Sequence, residues 1–149
     1  MKKLLTILCL VLLVSCSNEV PFDKLVERQG VTYEVTSDKP FSGTSVRHYI
    51  NSQLRSKQHY KDGKLNGVSE LYYENGQLSQ KVTHKEGKLH GPSDTFYENG
   101  LSQFKTNYKE GELHGLTEQY YENGQLNNKT NYKEGELHGL TEQYYENGQ

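Results

Sequence analysis

Apolar and polar positions recur along this chain with a period of 24 residues, beginning at about Lys39. Each unit holds two short stretches of the form Y-x-x-G-x-L, such as YKEGEL at 108–113 and YENGQL at 121–126. Residues 105–125 are identical to residues 129–149, which indicates recent duplication of a unit. Tyrosine-rich and leucine-rich stretches separated by Asn-Gly or Glu-Gly pairs predict strands joined by tight turns.

The glycine spacing predicts how these hairpins follow one another. From Gly63 to Gly148 the turn glycines lie alternately 13 and 11 residues apart, so each half-unit should be one strand and one turn. We expect type I′ turns at the Asn-Gly pairs, because both central residues of such a turn have positive φ. A second glycine series, which includes Gly67 and Gly115, falls inside the expected strands. It predicts either a β-bulge or a break between two shorter strands.

Alternation within a strand predicts a sheet that is only thinly covered. Between residues 112 and 121, Leu113 and Thr117 fall on one face, whereas Leu116 and Tyr120 fall on the other. Neither face is densely apolar. The expected fold class is therefore all-β, with tandem β-hairpin repeats that form an elongated antiparallel meander sheet.

The first residues differ from the repeats. Two lysines precede an apolar run of 11 residues from Leu4 to Val14. Because a membrane-spanning helix needs about 20 residues, this run is typical of the core of a signal peptide, with a short buried helix as the alternative. The following Leu13-Val14-Ser15-Cys16 resembles the lipobox of bacterial lipoproteins. The resemblance implies cleavage before Cys16 and lipidation of its sulfur.

The chain accordingly divides into three parts. We expect a lipoprotein signal peptide at 1–15, a lipidated N-terminal tether with a hairpin around Gln29-Gly30 at 16–36, and the repeat domain at 37–149. The expected location is a bacterial cell membrane or outer membrane, with the lipid-anchored domain outside the cytoplasm. Gln149 directly follows the Asn147-Gly148 turn, so the final strand is expected to be an unprotected edge.

Composition and charge narrow the classes of partner. The chain has 12 Tyr and 14 Gly but no Ala, which favours strands and turns over helices. Residues 16–149 have a formal net charge of −4 and a single cysteine, so no disulfide can form within that part. No nucleic-acid partner is expected, because such recognition needs clustered lysine and arginine.

No pattern in the sequence predicts catalysis or a metal site. His90, His114 and His138 recur at the repeat period, but equivalent residues two strands apart are about 10 Å apart, too far to share one zinc ion. The glutamates of the Y-E-N-G stretches recur in the same way, with no enclosing pocket to shift a pKa. We therefore expect no enzyme activity, no cofactor and no metal.

The Y-x-N-G-x-L and K-x-G-x-L-x-G cores resemble the variant MORN repeat (membrane occupation and recognition nexus), and the resemblance covers residues 37–149 and, more weakly, 25–36. It implies a string of β-hairpins that mediates protein or membrane contacts. Some bacterial members are labelled antitoxins. An antitoxin or immunity-type protein that neutralises one specific partner is therefore the alternative function.

The leading expectation is a lipid-anchored interaction or scaffolding module of the cell envelope. We expect the module to be attached to the membrane by a lipid anchor on Cys16. We expect its other partner to be a protein or an envelope polymer. Tyrosine is favoured at interfaces, because it offers a rigid ring with a polar tip. The candidate binding surface comprises Tyr73, Tyr97, Tyr121 and Tyr145. The alternative for each of these rings is packing within the molecule.

Overall fold

The computed structural model describes residues 19–149, so the expected signal peptide and Cys16 lie outside the described residues. β-strand is almost the only regular secondary structure of this part, which confirms the expected fold class. Its helical content is a single 3-10 turn, Phe22–Lys24. Within residues 19–149 no helix has the length and apolarity that crossing a membrane requires.

Thirteen strands follow one another along the described chain. Their bounds are β1 Glu19–Pro21, β2 Leu25–Arg28, β3 Val31–Glu34, β4 Gly43–His48, β5 Leu54–Lys61, β6 Lys64–Tyr72, β7 Leu78–Lys85, β8 Lys88–Phe96, β9 Ser102–Lys109, β10 Glu112–Leu113, β11 Gly115–Tyr120, β12 Leu126–Lys133 and β13 Glu136–Gln143.

Eleven of these strands form one sheet, in the order β1-β4-β5-β6-β7-β8-β9-β11-β12-β13, with β10 also paired to β9. From β4 onward the pairing is antiparallel, so the sheet is the expected meander. The strands β2 and β3 form a separate hairpin around Gln29-Gly30. This hairpin is joined to the main sheet by a hydrogen bond from Thr32 N–H to the Gly63 carbonyl at 2.9 Å.

The first strand adds an element that the sequence did not predict. β1 pairs in parallel with β4, and Glu19 lies opposite Thr44. Three residues are too few to produce a recognisable alternation. Their place in the sheet depends on a strand more than 20 residues away.

The two kinds of turn differ from each other. Asp62 and Gly63 form the two-residue connection between β5 and β6, and their φ angles of 51° and 76° match a type I′ turn. The expectation of type I′ turns at Asn-Gly pairs was wrong. Residues 73–77 form a five-residue loop, in which Gly76 has positive φ but Asn75 does not. The reason is the Asn75 side chain, whose Oδ1 accepts the Gln77 N–H at 2.9 Å and closes the loop locally.

The second glycine series forms β-bulges. Gln58 pairs with Ser69 and Tyr60 pairs with Leu65, so three residues of β6 lie opposite one residue of β5. Gly67 is the middle of these three residues, with a φ of 103°. At the corresponding place in a later unit, the strand is instead divided into two shorter strands, β10 and β11. Both of the predicted alternatives therefore occur.

Candidate interaction surfaces

The sheet has two faces of different chemistry. Successive residues along a strand point to opposite faces, so Ser69 and Glu70 lie on different sides of β6. We call the side of Ser69 the groove face and the side of Glu70 the ladder face. As the sequence predicted, the face of Leu113 and Thr117 differs from that of Leu116.

A row of mostly small side chains crosses the middle of the groove face, one from each of the strands β4–β9 and β11–β13. Strand pairing joins Ser45, Gln58, Ser69, Val82, Ser93 and Thr106, and then Thr117, Thr130 and Thr141. Most of this central row is buried, and Ser69 is only 4% exposed. A single-layer sheet buries these positions because larger neighbours on the same face close over them.

Large side chains border the central row on both sides. Leu65 and Leu89 lie towards the type I′ turns, whereas Leu71 and Gln80 lie towards the Y-E-N-G loops. Together with His84 they line a groove of about 270 Å³. The groove face therefore combines leucine, amide and hydroxyl groups along one continuous strip.

His84 is an ionisable group that lines this groove. Its Nδ1 is 3.3 Å from the Ser69 hydroxyl oxygen. Burial lowers the pKa of His84 from its ordinary value, because desolvation disfavours the imidazolium. The groove is thus lined by a neutral imidazole at pH 7.

The ladder face carries a row of charges whose sign alternates from strand to strand. Each member is paired with the next across the sheet, in the order Lys57, Glu70, Lys81, Asp94, Lys105, Glu118, Lys129 and Glu142. Opposite charges on directly facing strand positions stabilise a sheet. The 24-residue period produces this charge ladder, because every unit adds one lysine and one acid.

Side-chain contacts support the charge ladder. Lys81 Nζ lies 3.6 Å from a Glu70 carboxylate oxygen, and the Tyr72 hydroxyl donates a hydrogen bond to Glu70 at 3.0 Å. Burial and this bond raise the pKa of Tyr72. Lys105 also lies 5.2 Å from the ring centre of Tyr120, a cation–π distance. On the ladder face each charge therefore lies opposite a charge of the other sign on a neighbouring strand.

The first unit departs from the charge ladder and is completed by β1. Val46 stands where later units have an acid, and it pairs with Lys57. Lys57 Nζ instead forms an ion pair with Glu19 at 2.7 Å. The strand that follows Cys16 in the sequence, β1, thus supplies the acid that the first unit lacks.

The four candidate tyrosines all begin a Y-E-N-G loop. The hydroxyls of Tyr73, Tyr97 and Tyr121 donate to the main-chain carbonyl just before the next loop, at 2.7, 2.7 and 3.0 Å. These three rings take part in packing within the molecule, which was the alternative for each. Tyr145 is 76% exposed. A binding role for these tyrosines stays a prediction.

One of the three repeated histidines, His90, supports a turn. Ser42, Asn66 and His90 occupy equivalent places, and each side chain accepts a main-chain N–H of the next type I′ turn, at 2.8, 3.3 and 3.5 Å. His90 Nδ1 also lies 3.2 Å from a Glu110 carboxylate oxygen. In the described part of the chain no group of three or more potential ligands is placed to hold a metal ion.

Comparison with known proteins identifies the repeat. The family profile of the MORN repeat variant matches residues 65–86, 113–134 and 137–149. These segments are MORN-variant repeats. Each matched segment begins at the leucine that follows a type I′ turn, namely Leu65, Leu113 or Leu137. Residues 89–110 lie outside the matched segments, and they form an equivalent pair of strands, β8 and β9.

Other comparisons add little to the MORN assignment. No curated protein matches this chain. Among the solved structures that match is a mutant of S. aureus TarM in complex with Fondaparinux, alpha-GlcNAc-glycerol and UDP, with 10% identity and a TM-score of 0.38. That match covers 73% of this chain and spans only 20% of the other. MORN repeats are generally membrane or protein interaction modules, and the repeat fold itself is non-catalytic.

Proposed function

We propose that this protein is a lipid-anchored interaction module of a bacterial cell envelope whose groove face binds a protein partner. The observation that carries this proposal is the difference between the two faces. On the ladder face, opposite charges are paired within the molecule. On the groove face, Leu65, Leu71 and Leu89 line a groove of about 270 Å³ that no second layer of the described chain covers. Leucine, tyrosine and amide groups of this kind suit a protein interface.

The proposal assigns no catalytic role. A serine and a histidine do meet in the groove, since Ser69 lies 3.3 Å from His84. A serine nucleophile must reach a substrate, however, and Ser69 is 4% exposed. The contact therefore supports packing of the central row, not acyl transfer.

The lipid-anchor part of the proposal rests on residues 1–16. Two lysines, an apolar run and the Leu-Val-Ser-Cys sequence support an acylated Cys16. Two residues, Ser17 and Asn18, separate Cys16 from β1. An anchor at Cys16 would hold the first strand within about 10 Å of the lipid surface.

Changing Cys16 to Ser tests the anchor. Incorporation of labelled fatty acid should be abolished, and the protein should leave the membrane fraction while its β-sheet circular dichroism is unchanged. More than one acyl chain is needed for stable attachment, so loss of lipidation should release nearly all of the protein. Retention of the Ser variant on membranes after a high-salt wash would place the anchor elsewhere.

Two leucines of equal exposure test the binding face. Leu71 on the groove face is 37% exposed, and Leu116 on the ladder face is 38% exposed. Leu71→Ser should weaken capture of the partner from envelope extracts by about tenfold, as expected for losing one central apolar contact. Leu116→Ser should capture as the unmodified protein does. Equal effects of both changes would refute binding through the groove face.

The identity of the captured material separates the two functions. Capture of one stoichiometric protein that is toxic when expressed without this chain would favour the antitoxin alternative. Capture of several envelope proteins would favour the interaction module.

A further inference from the structure

The type I′ turns lie side by side at one end of the strands of the main sheet, and we call this row the turn edge. The sign of the charge reverses along it. Each turn of the repeats begins with a lysine and an acid, but the residue after the glycine changes along the chain. It is lysine in the first two turns, at Lys64 and Lys88, and glutamate in the next two, at Glu112 and Glu136. The first two turns are therefore net positive, and the next two are net negative.

The same reversal runs through the whole described chain. Residues 19–88 contain 11 Lys or Arg and 9 Asp or Glu, whereas residues 89–149 contain 4 and 10. Because the sheet is a meander, these halves of the sequence are also halves of the sheet. The protein therefore has a positive half and a strongly negative half.

The four residues at the reversing position are available to a partner. All four are exposed, and at the first two turns the β2–β3 hairpin brings Glu27 to a cavity that Lys64 and Lys88 also line. The ion pairs found among residues 19–149 involve none of them. Glu112 and Glu136 face Lys109 and Lys133 across their own turns, but no ion-pair contact joins them, so their carboxylates remain open to a partner.

Main-chain hydrogen bonds hold the turns at fixed spacing. The N–H of Gly87 donates to the Leu65 carbonyl at 2.8 Å, and Gly111 donates to Leu89 at 2.8 Å. Gly135 repeats the contact at 3.0 Å. Successive turns are two strands, or about 10 Å, apart. The four charges therefore form a row about 30 Å long whose order is set by the sheet.

We propose that this turn edge binds the turn edge of a second copy of the chain in antiparallel orientation. A two-fold axis between the second and third turns places Lys64 opposite Glu136 of the second copy, and Lys88 opposite Glu112 of the second copy. The symmetry makes each pair occur twice. A parallel arrangement would place like charges together, so the charge order selects the antiparallel one.

Such a contact is sensitive to salt, because exposed ion pairs are screened. It is tested with the full-length protein in non-ionic detergent, by energy transfer between donor-labelled and acceptor-labelled copies. The unmodified protein should associate in about 0.05 M NaCl, and the association should weaken at least about tenfold in about 0.5 M NaCl.

Charge reversal identifies the pairs. The variant Lys64→Glu/Lys88→Glu and the variant Glu112→Lys/Glu136→Lys should each self-associate about tenfold more weakly, because every turn then has the same sign. A mixture of the two variants should recover association. The fourfold variant that combines all of these changes should self-associate as the unmodified protein does, since its charge order is simply inverted.

The Y-E-N-G loops, which lie at the other end of the strands, supply a matched control. Glu122→Lys/Glu146→Lys makes the same change in net charge in the same half of the chain, but at the opposite edge. It should leave association unchanged. Association of either turn-edge variant at the unmodified level, or failure of the fourfold variant with its sheet intact, would overturn the antiparallel turn-edge contact.

Discussion

The hydroxyl of Tyr97 donates a hydrogen bond to the main-chain carbonyl of Tyr120, 23 residues further on, at 2.7 Å. Beside it, the Asn99 side-chain amide donates to the Glu122 carbonyl at 2.9 Å. Equivalent tyrosine bonds join Tyr49 to Tyr72, Tyr73 to Phe96 and Tyr121 to Tyr144. Each Y-E-N-G loop is thereby hydrogen-bonded to the next. Side chains therefore hold together the row of loops at this end of the strands.

Removing one of these hydroxyls should destabilise the protein measurably. Tyr97→Phe should lower the free energy of unfolding by about 1 kcal/mol, because it removes a partly buried hydrogen bond and leaves the ring in place. Tyr145→Phe is the control, since the Tyr145 hydroxyl donates no hydrogen bond within residues 19–149. Urea unfolding measures both. Equal stability of the two variants would show that the loop bonds contribute nothing.

Docking of the N-terminal hairpin should depend on Gly63. A Cβ at Gly63 would lie 2.8 Å from the Thr32 carbonyl oxygen, whereas nothing lies within 4 Å of a Cβ at Gly111. Alanine at either position costs about 1–2 kcal/mol, because both residues have positive φ. Gly63→Ala should cost about 1–3 kcal/mol more, through the clash with β3.

Hydrogen exchange would locate the effect of the Gly63 substitution. Amides of residues 25–34 should exchange faster in Gly63→Ala and at the normal rate in Gly111→Ala. If both variants lost equal stability with the hairpin still protected, the hairpin would not depend on close approach at Gly63.

The charge ladder should tolerate loss of a charge better than its reversal. Asp94 pairs with Lys81 and with Lys105, so Asp94→Lys places three lysines side by side. The free energy of unfolding should fall by about 1 kcal/mol relative to Asp94→Asn, because like charges on facing positions repel. Added NaCl should shrink this difference. A difference that is independent of salt would point to packing as its cause.

The stability of the fold should depend on pH through His84. Burial lowers its folded-state pKa below the ordinary value of 6.5, so the unfolded chain binds the proton more readily. The stabilisation is complete above about pH 6.5 and is lost as the pH falls through the lowered value. Between about pH 7.5 and pH 5.5, the free energy of unfolding should fall less in His84→Gln than in the unmodified protein.

The exposed His48 at the end of β4 provides the control for this measurement. His48→Gln should keep the pH dependence of the unmodified protein. If His84→Gln kept it as well, the groove imidazole would not be the group responsible.

The sequence by itself determined the order of strands and turns. The recurring glycines and the alternation around Leu113 and Leu116 are local signals, because φ and side-chain direction depend on a few neighbouring residues. The all-β meander and the positions of its turns followed from them. The sequence also placed glycines such as Gly67 inside strands, and these became bulges.

Tertiary structure decided which residues meet. The partners of Glu70 lie on neighbouring strands, and Glu19 reaches Lys57 across 38 residues, so the charge ladder and its completion by β1 depend on strand register. The Asn75 turn was mispredicted for a related reason, since its side chain both closes its own loop and donates to the next loop's Glu98 carbonyl. Local patterns specify the strands, whereas contacts between units decide how their side chains are used.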